Sequence, residues 1–382
     1  MRSEKLTVLV GGYIGLLHSG GIVWDYIQYL LGFLEMGHDV YYLEDTMCYP
    51  VCCSTGDDSY STIQRLQTIM EEFGVGDRWI YRDEVTKNIY GKSEEEYITI
   101  CRKADILINV SWANVMREEY LRIPVRILLD SDPMFTQIQI HTKQESLENA
   151  YLYTHHFSFG ENINSPDCLV PTSPFSWIVT RQPICLEYWP VKDNGDRKKP
   201  YTTVMNWNAG KPLEYDGREW GQKNLTFPII LDVPAEAKRE TFTMAVNKLS
   251  EDDHSRLTKA GWQIVLPDIV IGDYQQYQSF INDSKAEISV AKETYVKANT
   301  GWFSGRSACY LAAGRPVITQ DTCWSRYYPA GNGLFSFVNK SEALDAVREI
   351  SANWKHHSKS AREIAESFFD HRKVLGDMLK AI

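Results

Sequence analysis

The sequence predicts an α/β protein of two doubly wound domains facing a central cleft, and three observations predict it. The chain opens with an apolar run, glycines, an amphipathic helix and a second apolar run. The same alternation of strand and helix starts again near Tyr201. Between Asn299 and Val317 (NTGWFSGRSACYLAAGRPV), a glycine-bearing loop enters a small-residue helix and leaves it into another strand. Repeated β-α units of this kind build parallel sheets with helices on both faces.

Each element follows from local pattern. Leu6 to Val10 (LTVLV) is an unbroken apolar run, as in a strand buried on both faces. Gly11-Gly12 ends it, and a loop with His18-Ser19-Gly20-Gly21 leads to a helical pattern over Val23 to Met36. Gly37 stands where a C-cap glycine belongs. Val40 to Leu43 is the second strand, closed by Glu44-Asp45. An acid there suits the ribose of a dinucleotide, but GGYIGL lacks the G-x-G-x-x-G spacing. Cys48 to Ser61 reads as a polar loop and Thr62 to Phe73 as an amphipathic helix. Strands follow at Ala104 to Val110, Val125 to Leu129 and, with its loop, Tyr153 to Asn162. From Pro166 onward, prolines and charges without periodicity read as a connection, narrowest at 191–200. Beyond it lie strands at Tyr201 to Trp207, Trp262 to Leu266 and Ala286 to Val290, and a helix at Tyr274 to Asn282. Amphipathic helices at Ser341 to Trp354 and Ser360 to Leu379 close the chain. The expected division is a first domain over 1–190, a linker over 191–200, and a second domain over 201–360. A last helix over 361–382 is expected to pack back on the first domain.

Composition bounds the function. Of 382 residues, 43% are hydrophobic and 24% charged, the balance of a globular domain, and no run approaches a bilayer span. The expected location is the cytoplasm, with peripheral contact at the inner membrane face compatible with it. A formal net charge of −10 argues against nucleic acid as a partner, since such binders need a basic face. Eight cysteines lie without a C-x-x-C pair or matching histidines, and read as reduced thiols. A zinc site at Cys48, Cys52 and Cys53 is the weaker alternative, and no metal is expected.

The stretch from Thr300 to Ser307 is the first candidate site. A helix N-terminus carries unpaired N–H groups and about half a positive charge, which suits a phosphate. Gly305 lets the ligand approach, and Arg306 can fork onto two oxygens. The plainer alternative is a well-capped helix.

With both halves in view, the pattern resembles the GT-B-fold glycosyltransferases. The residues that carry the resemblance are GGYIGLLHSGG after the first strand, GQKN at 221–224, and AEISVAKETY followed by TGWFSGRSACYLAAGRPVITQDT. Within that fold the chain is similar to the cyanobacterial glycosyltransferases of heterocyst-envelope polysaccharide synthesis. One departure stands out: the Glu-x7-Glu pair usual in the retaining enzymes falls here on Gly301 and Cys309.

The resemblance implies transfer of a hexose from a nucleoside-diphosphate sugar, with UDP-sugars such as UDP-glucose favoured. The acceptor would be a saccharide or a lipid-linked saccharide in polysaccharide or glycoconjugate synthesis. It also implies retention of configuration without a metal or other cofactor. Lys223, Thr300, Gly301, Ser304, Gly305, Arg306 and Ser307 would meet the diphosphate. Tyr274 would stack on the base, and Tyr295 would reach the ribose or a phosphate. Gly20 and Gly21 would let the first loop approach the donor. His18 could orient a hydroxyl or act as a base, and Glu161 could be a base, a nucleophile or an acceptor ligand. Plainer alternatives stand beside these: Lys223 as an exposed loop lysine, Arg306 as a structural ion pair, Glu161 as a solvated acid. Two competing functional readings remain. Asp130-Ser131-Asp132 could hold a divalent cation in a metal-dependent glycosyltransferase. The chain could also be a non-catalytic nucleotide-sugar-binding protein.

Overall fold

The computed structural model describes residues 5–48, 59–84, 86–192, 198–208, 210 and 212–382. Cys52 and Cys53, and residues 193–197 of the 191–200 connection, lie outside the described residues.

Two sheets form the scaffold. The first contains β1 (Thr7–Gly11), β2 (Asp39–Glu44), β3 (Trp79–Arg82), β4 (Ile89–Tyr90), β5 (Ile106–Val110), β6 (Val125–Asp130), β7 (His155–Ser158) and β8 (Trp177–Val179). Their order is β4-β3-β2-β1-β5-β6-β7-β8, parallel except for the edge strand β4. A small hairpin, β10 (Leu213–Tyr215) and β11 (Arg218–Trp220), follows β9 (Tyr201–Asn206). The second sheet adds β12 (Phe242–Asn247), β13 (Trp262–Val265), β14 (Ala286–Ser289), β15 (Val317–Gln320) and β16 (Leu334–Phe337). It is parallel throughout, in the order β13-β12-β9-β14-β15-β16. In each sheet the order reverses direction beside the first strand, and the loops at that switch point form a crevice.

Most expected elements lie within a few residues of their pattern. The first helix starts earlier, at Gly20, and runs to Glu35. The last helical stretch is two helices, Trp354–Phe368 and His371–Lys380. The Asp370 side chain caps the second of these by accepting from the Arg372 N–H. The stretch after Pro166 is better anchored than a linker. It supplies edge strand β8, and Ile184, Cys185 and Trp189 are fully buried.

The two sheets are joined by packing as well as by the chain. The Gly20–Glu35 helix packs on the Tyr274–Asn282 helix and on His371–Lys380. The Trp24 indole N–H donates to the Tyr274 carbonyl (2.9 Å). Residues 160–162 pair with 300–302, and the Trp302 indole donates to the Ser131 carbonyl (3.1 Å). Among the described residues no helix is long and apolar enough to cross a membrane.

Candidate functional site

The carboxyl ends of both sheets face one cleft of about 1070 Å³. Its wall includes His18, Gly21 and Asp25 from the first half, and Lys223, Lys292, Tyr295, Ser304, Gly305 and Arg306 from the second. Seven sequence-marked residues therefore meet there.

The second half supplies the cations. Lys223 begins a short turn after Gln222, and its ammonium has no hydrogen-bond or carboxylate partner among the described residues. Burial, then the charges of Arg306 and Lys292, hold its pKa well below the ordinary lysine value. Lys292 follows β14, and its Nζ lies 2.8 Å from both oxygens of Asp132 in the other half. It also stands over the Phe135 and Tyr295 rings, and Tyr295 stacks on Trp302 at 4.5 Å. Arg306 is held by Glu287 (Nε–Oε1 2.7 Å, Nη2–Oε1 2.6 Å) and by the Val204 carbonyl (2.7 Å). It is thus both a buried ion pair and part of the cleft wall. The Glu287 Oε2 atom has no partner.

The helix behind the glycine loop runs over Gly305–Ala312. It is not a well-capped helix, because the Ser304 side chain accepts no capping hydrogen bond. Its first internal bond is Ala308 N–H to the Ser304 carbonyl (3.1 Å), which leaves the N–H groups of Gly305, Arg306 and Ser307 without protein acceptors among the described residues.

The first half supplies a rigid loop. The carboxylate of Glu44, at the end of β2, accepts from the N–H groups of Gly15 and Leu16 (both 2.8 Å) and from the Tyr42 hydroxyl (2.7 Å). Burial pushes its pKa up to about 7. The acid at the strand end that could serve a ribose thus ties the loop in place instead. His18 lies exposed at the cleft rim, and desolvation and Arg65 hold its pKa below the usual value.

Six sequence-marked residues are not brought to the cleft wall. Glu161 is buried rather than solvated: Arg181 binds both its oxygens (2.8 and 3.1 Å) and the Tyr328 hydroxyl donates to it. Tyr274 packs its ring on Phe73 (4.7 Å) and donates its hydroxyl to Glu72 (2.7 Å), so it fastens the two halves and faces no base. A Cβ on Gly20 would lie 2.0 Å from the Asp273 carbonyl oxygen, so this glycine serves helix packing. Thr300 is buried in a turn, where its hydroxyl accepts from the Trp302 N–H (3.1 Å). Gly301 adopts φ +72°, with Asn162 N 2.4 Å from where its Cβ would be. Ser307 is fully buried, with its hydroxyl unpartnered. His155 and His156 also point elsewhere: His156 stacks on Phe175, and His155 meets Thr154.

The Asp130-Ser131-Asp132 triplet does not offer two open carboxylates. Asp130 is buried and accepts from Asp132 N–H, Thr136, Gln137 and Ser158, all within 2.9 Å. Asp132 faces the Lys292 ammonium. A second cluster, Glu35, Glu187 and His371, has metal-like spacing far from the cleft, but Arg372 already rests on Glu35 as its counter-charge.

Pattern reading passed over Asp25, Lys292 and Glu287. Lys292 lies three residues past the end of β14, near the usual ligand position in an open α/β sheet. Asp25 is a lone acid in the apolar stretch IVWDYIQYLL, which was its available signal.

No protein-family model matches the chain, and no curated protein matches it in sequence. Solved structures do match. An alpha-glucosyltransferase in complex with UDP and DNA is similar over 99% of both chains, with a TM-score of 0.57 and 11% identity. Anabaena HepE in complex with UDP-glucose is similar over 99% of this chain and 100% of that one (TM-score 0.56, 9% identity). Sucrose-phosphate synthase from Thermosynechococcus elongatus covers 99% and 98% (TM-score 0.54, 9% identity). The fold is therefore GT-B, two Rossmann-like domains about a cleft. The likeness to HepE lies within the narrow range of the others, at 9% identity, so it does not single out that enzyme.

Proposed function

We propose that this chain is a glycosyltransferase that takes a hexose from a nucleoside-diphosphate sugar, with UDP-sugars favoured. One observation carries the reading. An unpartnered lysine, Lys223, and the uncapped N-terminus of Gly305–Ala312 face the same cleft. Unsatisfied N–H groups and an uncompensated ammonium are costly unless an anion completes them. A diphosphate supplies enough acceptor oxygens for both. As the sugar–oxygen bond breaks, negative charge grows on that diphosphate, and preorganised donors there lower the barrier. The solved neighbours with UDP or UDP-glucose bound support the choice of nucleotide.

In this reading residues 201–360 hold the donor and residues 1–190 present the acceptor, a saccharide or lipid-linked saccharide. The last helix, His371–Lys380, packs on the Gly20–Glu35 helix and braces the first domain. Transfer proceeds with retention, the leaving phosphate taking the acceptor's proton, so Glu161 need not reach the sugar. No metal is required, because Lys223, Arg306 and the helix end neutralise the leaving group. The aromatic pair Tyr295–Trp302 lines the sugar side, and His18 at the rim is the remaining candidate to orient a hydroxyl.

The test is a thermal-shift panel of UDP, GDP, TDP and their sugars in EDTA, followed by transfer assays. The expected result is a stabilising shift with a uridine nucleotide, since a ligand that binds only the folded state raises stability by RT ln(1 + [L]/Kd). Sugar transfer unaffected by EDTA is expected next. Binding only after Mn²⁺ is added would overturn the metal-free reading. Binding without transfer or hydrolysis for any acceptor would make the chain a nucleotide-sugar-binding protein.

A further inference from the structure

Asp25 stands on the cleft wall with nothing to do in the ligand-free protein. It lies on the first helix, facing the start of the Gly305–Ala312 helix, and its Oδ1 is 3.3 Å from where a Cβ on Gly305 would be. Its carboxyl group makes no hydrogen bond among the described residues. The nearby cation is Arg306, already engaged by Glu287 and the Val204 carbonyl. The other titratable groups around it are uncharged at neutral pH: Tyr13 from the loop, Tyr26 and Tyr29 on its own helix, Tyr277 from the facing helix, and the Cys309 thiol. The Gln182 side chain packs beside it and binds its backbone carbonyl (3.0 Å), leaving the carboxyl head to the cleft.

This position is unusual for an acid. A carboxylate beside an uncapped helix end ordinarily caps it. Asp25 does not, so the helix end at Gly305 and Arg306, with its free N–H groups, and the carboxyl group border one gap. A diphosphate in that gap satisfies the N–H groups, but its oxygens only accept. A carboxyl group bordering it can then contribute only by donating.

We propose that Asp25 enters the donor complex as the neutral carboxylic acid and donates a hydrogen bond to a diphosphate oxygen, so that nucleoside-diphosphate binding takes up a proton at this residue. The inference rests on the donor site proposed above. Burial favours the neutral form and lifts the pKa of Asp25 to about 7, with Arg306 opposing. An arriving anion lifts it further. Below pH 7 the acid is already present. At pH 8 roughly nine-tenths of the free protein must first bind a proton there.

The experiment is calorimetric titration of UDP into the full chain and into Asp25→Asn, from pH 6 to pH 8.5, in buffers of different ionisation enthalpy. The amide of asparagine keeps a donor and removes the titration. The expected result is that wild-type affinity falls by up to tenfold per pH unit above 7, with proton uptake rising toward one. Asp25→Asn should lack that increment and bind UDP at pH 8.5 at least as tightly as wild type. Proton uptake by Lys223 and by UDP itself is common to both proteins and cancels. Equal uptake in the two proteins overturns the inference. So does a tenfold loss for Asp25→Asn at pH 6, which would mark Asp25 as an anionic acceptor for a ribose or sugar hydroxyl. Failure of wild type to bind UDP at any pH overturns the donor-site reading, and this inference with it. A melting curve for each variant confirms folding.

Discussion

Replacing Arg306 tests the diphosphate clamp, but the structure shows that the simple experiment is confounded. Arg306 neutralises Glu287, whose side chain is fully buried. Arg306→Ala strands that carboxylate, and breaking a buried pair costs about 3–5 kcal/mol. At about 2–4 °C per kcal/mol, the melting temperature should drop by about 6–20 °C. Lost activity could then mean only a damaged fold. The double variant Arg306→Met with Glu287→Leu replaces both charges by apolar side chains of similar volume. Such replacements are often neutral for stability, so its melting temperature should return to within a few degrees of wild type. Its affinity for UDP should not return. One charge-assisted hydrogen bond lost from the ligand costs about 1.5–3 kcal/mol, about 10- to 150-fold in Kd. UDP titration calorimetry and differential scanning calorimetry on the three proteins separate the two effects. A double variant with wild-type stability and wild-type UDP affinity would refute the placement of the diphosphate at Arg306 and leave it a structural ion pair.

Three further outcomes are expected. Lys223→Met should weaken UDP binding at least tenfold while stabilising the ligand-free protein at pH 7, because the unfolded chain holds a proton that the folded lysine resists. That gain should fade as pH approaches 10.5, and calorimetry showing a loss of stability at pH 7 would count against a buried, unpartnered ammonium. Asp132→Asn should keep UDP affinity within about threefold in EDTA and shift the melting temperature little, since a partly exposed pair contributes about 0–1 kcal/mol; a tenfold loss would revive a ligand-binding role for the triplet. Asp25→Asn should raise the melting temperature at pH 8 and not at pH 3.5. Burial lifts the carboxyl from 3.8 to about 7, so ligand-free stability falls as pH rises through that window, by at most about 4 kcal/mol at about 1.4 kcal/mol per unit.

The strands that a buried parallel sheet demands were the most legible part of the chain. LTVLV read correctly because a strand covered on both faces is mainly apolar, whereas AEISV alternates, and its Glu287 and Ser289 are buried against Arg306 and Thr319. The β12 strand, FTMAVN, carries the same signal between polar flanks and was passed over. The single terminal helix over 360–379 divides because Asp370 caps a new helix, a signal that looks like surface charge in sequence. At the site, the glycine loop and Arg306 were legible as local motifs. Glu161 and Tyr274 were not, because their partners are distant in sequence: Arg181 and Tyr328 for one, Glu72 and Phe73 for the other. A local reading can nominate a polar side chain near a strand end. Only the tertiary structure shows whether another residue has already satisfied it.

The same accounting explains how a chain with net charge −10 can build an anion site. Three cations on the cleft wall, Lys223, Lys292 and Arg306, are met by three carboxyl groups, Asp25, Asp132 and Glu287. Two of the pairs are closed, and one of them, Lys292–Asp132, spans the two halves. The unpaired members, Lys223 and Asp25, are the two whose burial pushes them toward their neutral forms. The empty cleft therefore avoids isolated buried charge without filling itself. An entering diphosphate reverses the balance: its charge favours the ammonium of Lys223 and the acid form of Asp25, and both changes require protons from solvent. Affinity for the donor should then depend on protons at two residues on opposite walls of the cleft, and separating the walls should weaken the linkage. Opening the Lys292–Asp132 contact with Asp132→Asn should reduce the proton uptake measured on UDP binding, even where Lys223 and Asp25 are intact. Unchanged uptake in that variant would mean that the two titrating groups respond to the ligand independently of how closely the halves approach.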